Sequence, residues 1–127
     1  MILWHYTCAH AAPKIEAAGV LLPSPHRMLP QVGPIVWLTN LDIGARIQLG
    51  MPPIQPDCDR MAYRVTVELD EPLQWPRWAR RNVPLAQRQA VENNCPGSML
   101  AHWWLWLAPV PIVSIEPNSW KGNAWAQ

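Results

Sequence analysis

Fifteen prolines in 127 residues set the length scale of every element this chain can form. Proline lacks an N–H and fixes φ near −65°, so it interrupts helix interiors and central strands alike. The expected fold is therefore loop-rich and assembled from short pieces. It is nevertheless folded. Half of the residues are hydrophobic and 15% are charged, which argues against disorder, and the length suits one domain with a real core. The formal net charge is +1, so global electrostatics direct the chain neither to nucleic acid nor to an anionic membrane. The aromatic set is unusual, with nine Trp, two Tyr and no Phe, and core filling is its plainest use.

No apolar run approaches the length of a membrane span, and no secretory signal precedes the first strand. Cys8, Cys58 and Cys95 make an odd set without CxxC spacing. These features predict a soluble, reduced, cytoplasmic protein with no membrane partner.

Residues 2–6 read as a first strand, followed by a helix that tolerates Pro13 in its first turn and carries Ala11, Ile15 and Ala18 on one face. Gly19 is a natural stop. Residues 23–34 are a long loop, and Ile35 to Thr39 is a short buried strand. Asn40 or Asp42 can cap a second helix through about Leu49, with loop again over 51–59. Tyr63, Val65, Val67 and Leu69 alternate with Arg64, Thr66 and Glu68, the clearest strand signal in the chain. Residues 72–84 read as a surface segment with one helical turn, and Pro84 starts a helix over about 85–94. His102 to Leu107, apolar on both faces, predicts a central strand, and Val110 to Ile115 another. The sum is one α+β domain over residues 1–117, with five or so strands, two or three helices and a polar tail over 118–127.

Several constellations could carry chemistry. Asp57-Cys58-Asp59-Arg60 reads either as a turn with Asx-type hydrogen bonds or as a source of an acid, a nucleophile or a phosphate-gripping arginine. Arg60 is the strongest member, because a guanidinium can hold a pyrophosphate bidentately. Cys8 and His10 with Cys58 and Asp59 match no standard zinc spacing, so no metal is expected. Trp75, Arg77, Trp78, Arg80 and Arg81 form the one local basic-aromatic patch. It reads either as Trp packing beneath solvated Arg, or as a contact for a nucleic acid or an acidic protein.

One pattern reaches further. Leu3-Trp4-His5-Tyr6-Thr7, a helix, Gly19-Val20-Leu21-Leu22-Pro23, a loop and Val36-Trp37-Leu38-Thr39 together resemble the N-terminal part of the ADP-ribosyltransferase superfamily. The likeness is closest to its RNA 2′-phosphotransferase and DNA-modifying toxin branches, and it covers residues 2–41. It implies a split mixed sheet and a site for NAD, with His5 on a ribose, Thr7 near the nicotinamide and Trp37 or Thr39 bordering the cleft. An aromatic wall could come from Tyr6, Trp37 or Trp104, and phosphate contact from Arg60. The family's late-strand glutamate, which would stabilise the ribosyl cation, has no counterpart at His102-Trp103-Trp104. Glu68 could substitute, Asp59 could reach in from its loop, or the transferase chemistry could be absent. The resemblance therefore supports two expectations. One is an NAD-dependent transferase with a protein or nucleic-acid acceptor. The other is a non-catalytic binding or inhibitor module that acts through the Trp-Arg patch. The small size and minimal fold suit a phage or mobile-element effector by analogy.

Overall fold

A computed structural model describes residues 1–41, 59–94 and 99–118. They form a seven-stranded sheet and three helices. In chain order these are β1 (Ile2–Thr7), α1 (Ala12–Ala18), β2 (Val20–Leu21), β3 (Val36–Thr39), β4 (Tyr63–Glu68), β5 (Leu73–Gln74), α2 (Trp75–Asn82), α3 (Leu85–Asn93), β6 (Trp103–Trp106) and β7 (Val110–Pro117). A single 3-10 turn, Leu100–His102, leads into β6. The strands lie in the order β2-β7-β4-β1-β3-β6-β5, and every pairing is antiparallel. The expected five strands in a split mixed sheet are thus corrected to seven in one antiparallel sheet. The excess comes from β2 and β5, which have two residues each and are too short to show a period of two in sequence. The helix expected between Asn40 or Asp42 and Leu49 falls largely outside the described residues, as does the expected tail from residue 119 onward. Asn118, the first residue of that tail, is buried and donates to the Met61 carbonyl.

Side chains alternate across the sheet and supply two cores. On one face Leu3, Val36, Leu38, Val65, Val67 and Val110 pack together, joined by Ile15 from α1. On the other, Ile35, Trp103 and Leu105 meet Trp75, Ala79 and Val83 of α2 and Val91 of α3. A bulge opposite Thr66 and Val67 shifts the β7 register, so that Ser114 faces Thr66 and Ile112 faces Val67. Val113 is the residue passed over, and it is exposed. Without that extra residue Ile112 and Ile115, three apart, could not both reach the same core.

Two expectations about 72–106 need correction. Residues 72–84 are not a surface segment: they give β5 and two turns of helix, and Trp75 is wholly buried. Pro76 lies within the first two helical positions, where its missing N–H is harmless. The strand after residue 102 is not central. β6 has only β5 beyond it, and its apolar character on both faces reflects a helix on one side and core on the other.

The end of α1 shows how local chemistry sets the chain's path. Gly19 is left-handed, with φ 72°, and its N–H returns to the Ile15 carbonyl. A Cβ there would meet nothing within 4 Å, so any penalty is purely conformational. Gly19→Ala should therefore lower unfolding free energy by about 1 kcal/mol, and Gly19→Asn by less. Urea titration of the three proteins checks this, and equal midpoints would contradict it.

Candidate functional site

β1 and β3 lie side by side, yet they share one registered pair, Trp4 with Thr39. Beyond it a side chain takes over from the ladder. His5 Nδ1 lies 2.8 Å from the Trp37 carbonyl oxygen. A carbonyl can only accept, so Nδ1 carries the proton, and in the neutral ring Nε2 is left as an acceptor. Burial pushes the His5 pKa below its ordinary 6.5, while the hydrogen bond to Trp37 partly opposes that shift. The ring is accordingly neutral at pH 7.

A cleft of about 700 Å³ opens here. Its walls come from His5 and Thr7 of β1, from Ala11 at the start of α1 and Lys14, Ile15 and Ala18 within it, from residues 20–22 and 24–26, and from residues 35–37, with Arg60 completing it. His26 contributes a second imidazole. Its Nδ1 accepts the Met28 N–H at 3.1 Å, which leaves Nε2 to carry the proton. Burial and then the neighbouring Arg27 charge hold its pKa below the ordinary value. The two histidines thus have opposite polarity, with an acceptor on His5 and a donor on His26. The Trp37 ring itself packs in the core that contains Trp75, at centroid distances of 6.0 Å from His26, 5.2 Å from Trp75 and 5.8 Å from Trp103, while its backbone carbonyl meets His5.

The fold therefore gathers four of the residues singled out in sequence, His5, Thr7, Trp37 and Arg60, around one cavity. The others lie elsewhere. Tyr6 points to the opposite sheet face and donates to the Leu41 carbonyl. Thr39 is buried and accepts the Leu41 N–H through Oγ1. Trp104 packs with the core that contains Leu38. Glu68 is exposed and opposes Ile2, three positions along the ladder from the Val65–His5 pair and on the other face. Asp59 closes a turn by accepting the Met61 N–H at 2.9 Å, the Asx-type reading of that cluster. Glu116 pairs with Arg64 at 2.8 Å. Among the described residues, no Asp or Glu lines the cleft, and no group of three His, Cys, Asp or Glu side chains could hold a metal ion. Cys58 and Cys95 fall outside the described residues; Cys8 forms no disulfide.

Trp75 is fully buried and donates to Glu92 at 2.9 Å, so it contributes nothing to an exposed Trp-Arg patch. Trp78 is half-buried against the same core. Arg77, Arg80 and Arg81 are exposed.

Lys14 and His26 went unnoticed in sequence. Lys14 had a signal: it stands three residues after Ala11 and four before Ala18, beside the apolar stripe of α1. His26 had none, because residues 22–35 carry no period. No family model, curated protein or solved structure matches the chain. No helix among the described residues is long and apolar enough to cross a membrane.

The neutral His5 ring makes stability depend on pH with a definite sign. Its pKa is lower folded than unfolded, so its contribution is complete above 6.5 and shrinks as pH falls from there toward the folded value. Urea midpoints should fall between pH 7.5 and 5. His5→Gln should shrink that fall, with a remainder from His26. An equal fall in the variant would remove His5 as the cause.

Proposed function

We propose that the cleft binds a phosphate-bearing nucleotide of the NAD type, and that the chain is an ADP-ribosyltransferase-like protein. The observation that carries this reading is the convergence of His5, Thr7, Trp37 and Arg60 on one cavity, since those positions come from three segments distant in sequence. His5 Nε2 is an acceptor suited to a ribose hydroxyl, and the Thr7 hydroxyl can both donate and accept. Trp37 helps wall the cavity, with its indole packed against Trp75 and Trp103. Arg60 and Lys14 are the cations available to phosphate.

Catalysis of transfer is a separate matter. Cleaving the nicotinamide–ribose bond develops positive charge on the sugar, which an adjacent carboxylate stabilises electrostatically. The described lining carries two cations, two neutral imidazoles and no carboxylate. Glu68, Asp59 and Glu116 have the placements given above. This composition favours nucleotide binding without efficient transfer, which keeps the NAD site of the first expectation and omits its chemistry.

The test is calorimetric titration of NAD into the wild type and into Lys14→Gln and Arg60→Gln, both of which alter exposed side chains. A charged hydrogen bond contributes about 1.5–3 kcal/mol, so each variant should bind at least tenfold more weakly. Nicotinamide release over hours should stay near background. No heat from a folded wild type would refute the nucleotide reading, and rapid nicotinamide release would refute its non-catalytic form.

A further inference from the structure

The outward face of α2 has no part in the cleft, and its chemistry is simple. At about 100° per residue, the buried Trp75 and Ala79 fix the direction of the core. Arg77, Arg80 and Arg81 then fall within about 60° of the direction opposite Trp75. All three are exposed, and none makes an ion pair or hydrogen bond among the described residues. Glu92, the only acid of α2 and α3, accepts from the buried Trp75 indole and leaves this face uncompensated. In a chain of net charge +1, three unpaired guanidiniums on two helical turns are a local concentration of charge.

We propose that this face docks the phosphate backbone of nucleic acid without regard to sequence. Charge complementarity supports a polyanion, and two observations select among polyanionic partners. The apolar side chains of α2 are committed to the core, so none remains to insert into a lipid surface. The arginine face has no exposed aromatic or aliphatic anchor of the kind that protein interfaces depend on. Phosphate recognition needs no such anchor, because a guanidinium fork grips its oxygens directly. Arg77 and Arg81 are about 6 Å apart along the axis, and duplex DNA carries one charge per roughly 1.7 Å. That density counts both strands, so the span meets about three phosphates, as many as there are arginines, when the face bridges the two strands across a groove. Trp78, half-buried against the core, is no platform for stacked bases, so contact is confined to the backbone.

The experiment is fluorescence anisotropy of labelled 20-mer duplexes of two unrelated sequences, across 50 to 200 mM salt, with wild type and R77Q/R80Q/R81Q. Three phosphate contacts should give a log–log salt slope of about −2.7 and a loss of affinity of about 40-fold over that range. The two sequences should bind within twofold of each other. The triple variant should lose at least tenfold at 50 mM and most of the slope, with unchanged tryptophan emission and unchanged NAD titration. Failure of wild type to bind at 50 mM, or equal binding by the triple variant, would overturn the proposal. Tighter binding of polyglutamate of matched charge would assign the face to an acidic protein instead, and would overturn it too.

Discussion

The hydrogen bond from His5 to the Trp37 carbonyl, 2.8 Å long, sits where the two middle strands stop pairing, and the arrangement around it depends on that substitution. A continuous β1–β3 ladder would bring backbone against backbone from Trp4 to Thr7 and seal the sheet. A side chain in place of ladder hydrogen bonds satisfies the carbonyl while leaving room beside the strands. Two further consequences follow from the same contact. It fixes the tautomer of His5, and so determines that an acceptor rather than a donor remains on the ring. It also fixes the backbone of Trp37, whose indole is held among Trp75, Trp103 and His26.

Charge in this molecule is sparse, and position gives it meaning. The cleft holds neutral imidazoles inside and cations in Lys14 and Arg60. The His5 ring stays neutral because a charged imidazole would lose more hydration than one carbonyl returns. Arg64 and Glu116 neutralise one another on a strand pair, where Arg64 also lies 5.5 Å from the Trp4 ring centroid. The α2 arginines have no such partner among the described residues. The arginines thus meet three different fates, in the cleft, in an ion pair and on an open helix face, according to what the fold places beside them.

What the sequence disclosed follows the range of each interaction. The alternation of Tyr63 to Glu68 and the Pro13–Gly19 brackets of α1 are local, and both were legible. Gly19 was readable as a stop because a left-handed residue is most easily glycine. β2 and β5 could not be read, since two residues have no period; they exist because β7 and β6 offer edges to pair with. Trp75 was misplaced on the surface because its neighbours are Arg and Pro. Its burial comes from Trp37 and Trp103, 38 and 28 positions away in sequence, which meet its ring. The candidate site divides in the same manner: His5 and Thr7 stand out by residue type on a strand, whereas His26 depends on where an aperiodic loop happens to run.

The nine tryptophans and absent phenylalanine take on a physical sense where Trp37, Trp75, Trp78 and Trp103 cluster. An indole covers more area than a benzyl ring and carries one donor, so few side chains can fill the space between a short sheet and a two-turn helix. Trp75 is a clear case: its ring meets three other indoles while its N–H engages Glu92 and ties α2 to α3. That tie draws the only acid of the two helices toward the core side. The same interaction that anchors α2 therefore leaves its outer surface without an acid from either helix. Trp37, which lines the cleft and touches Trp75, belongs to both regions, so one aromatic contact links α2 to the strand that borders the cleft.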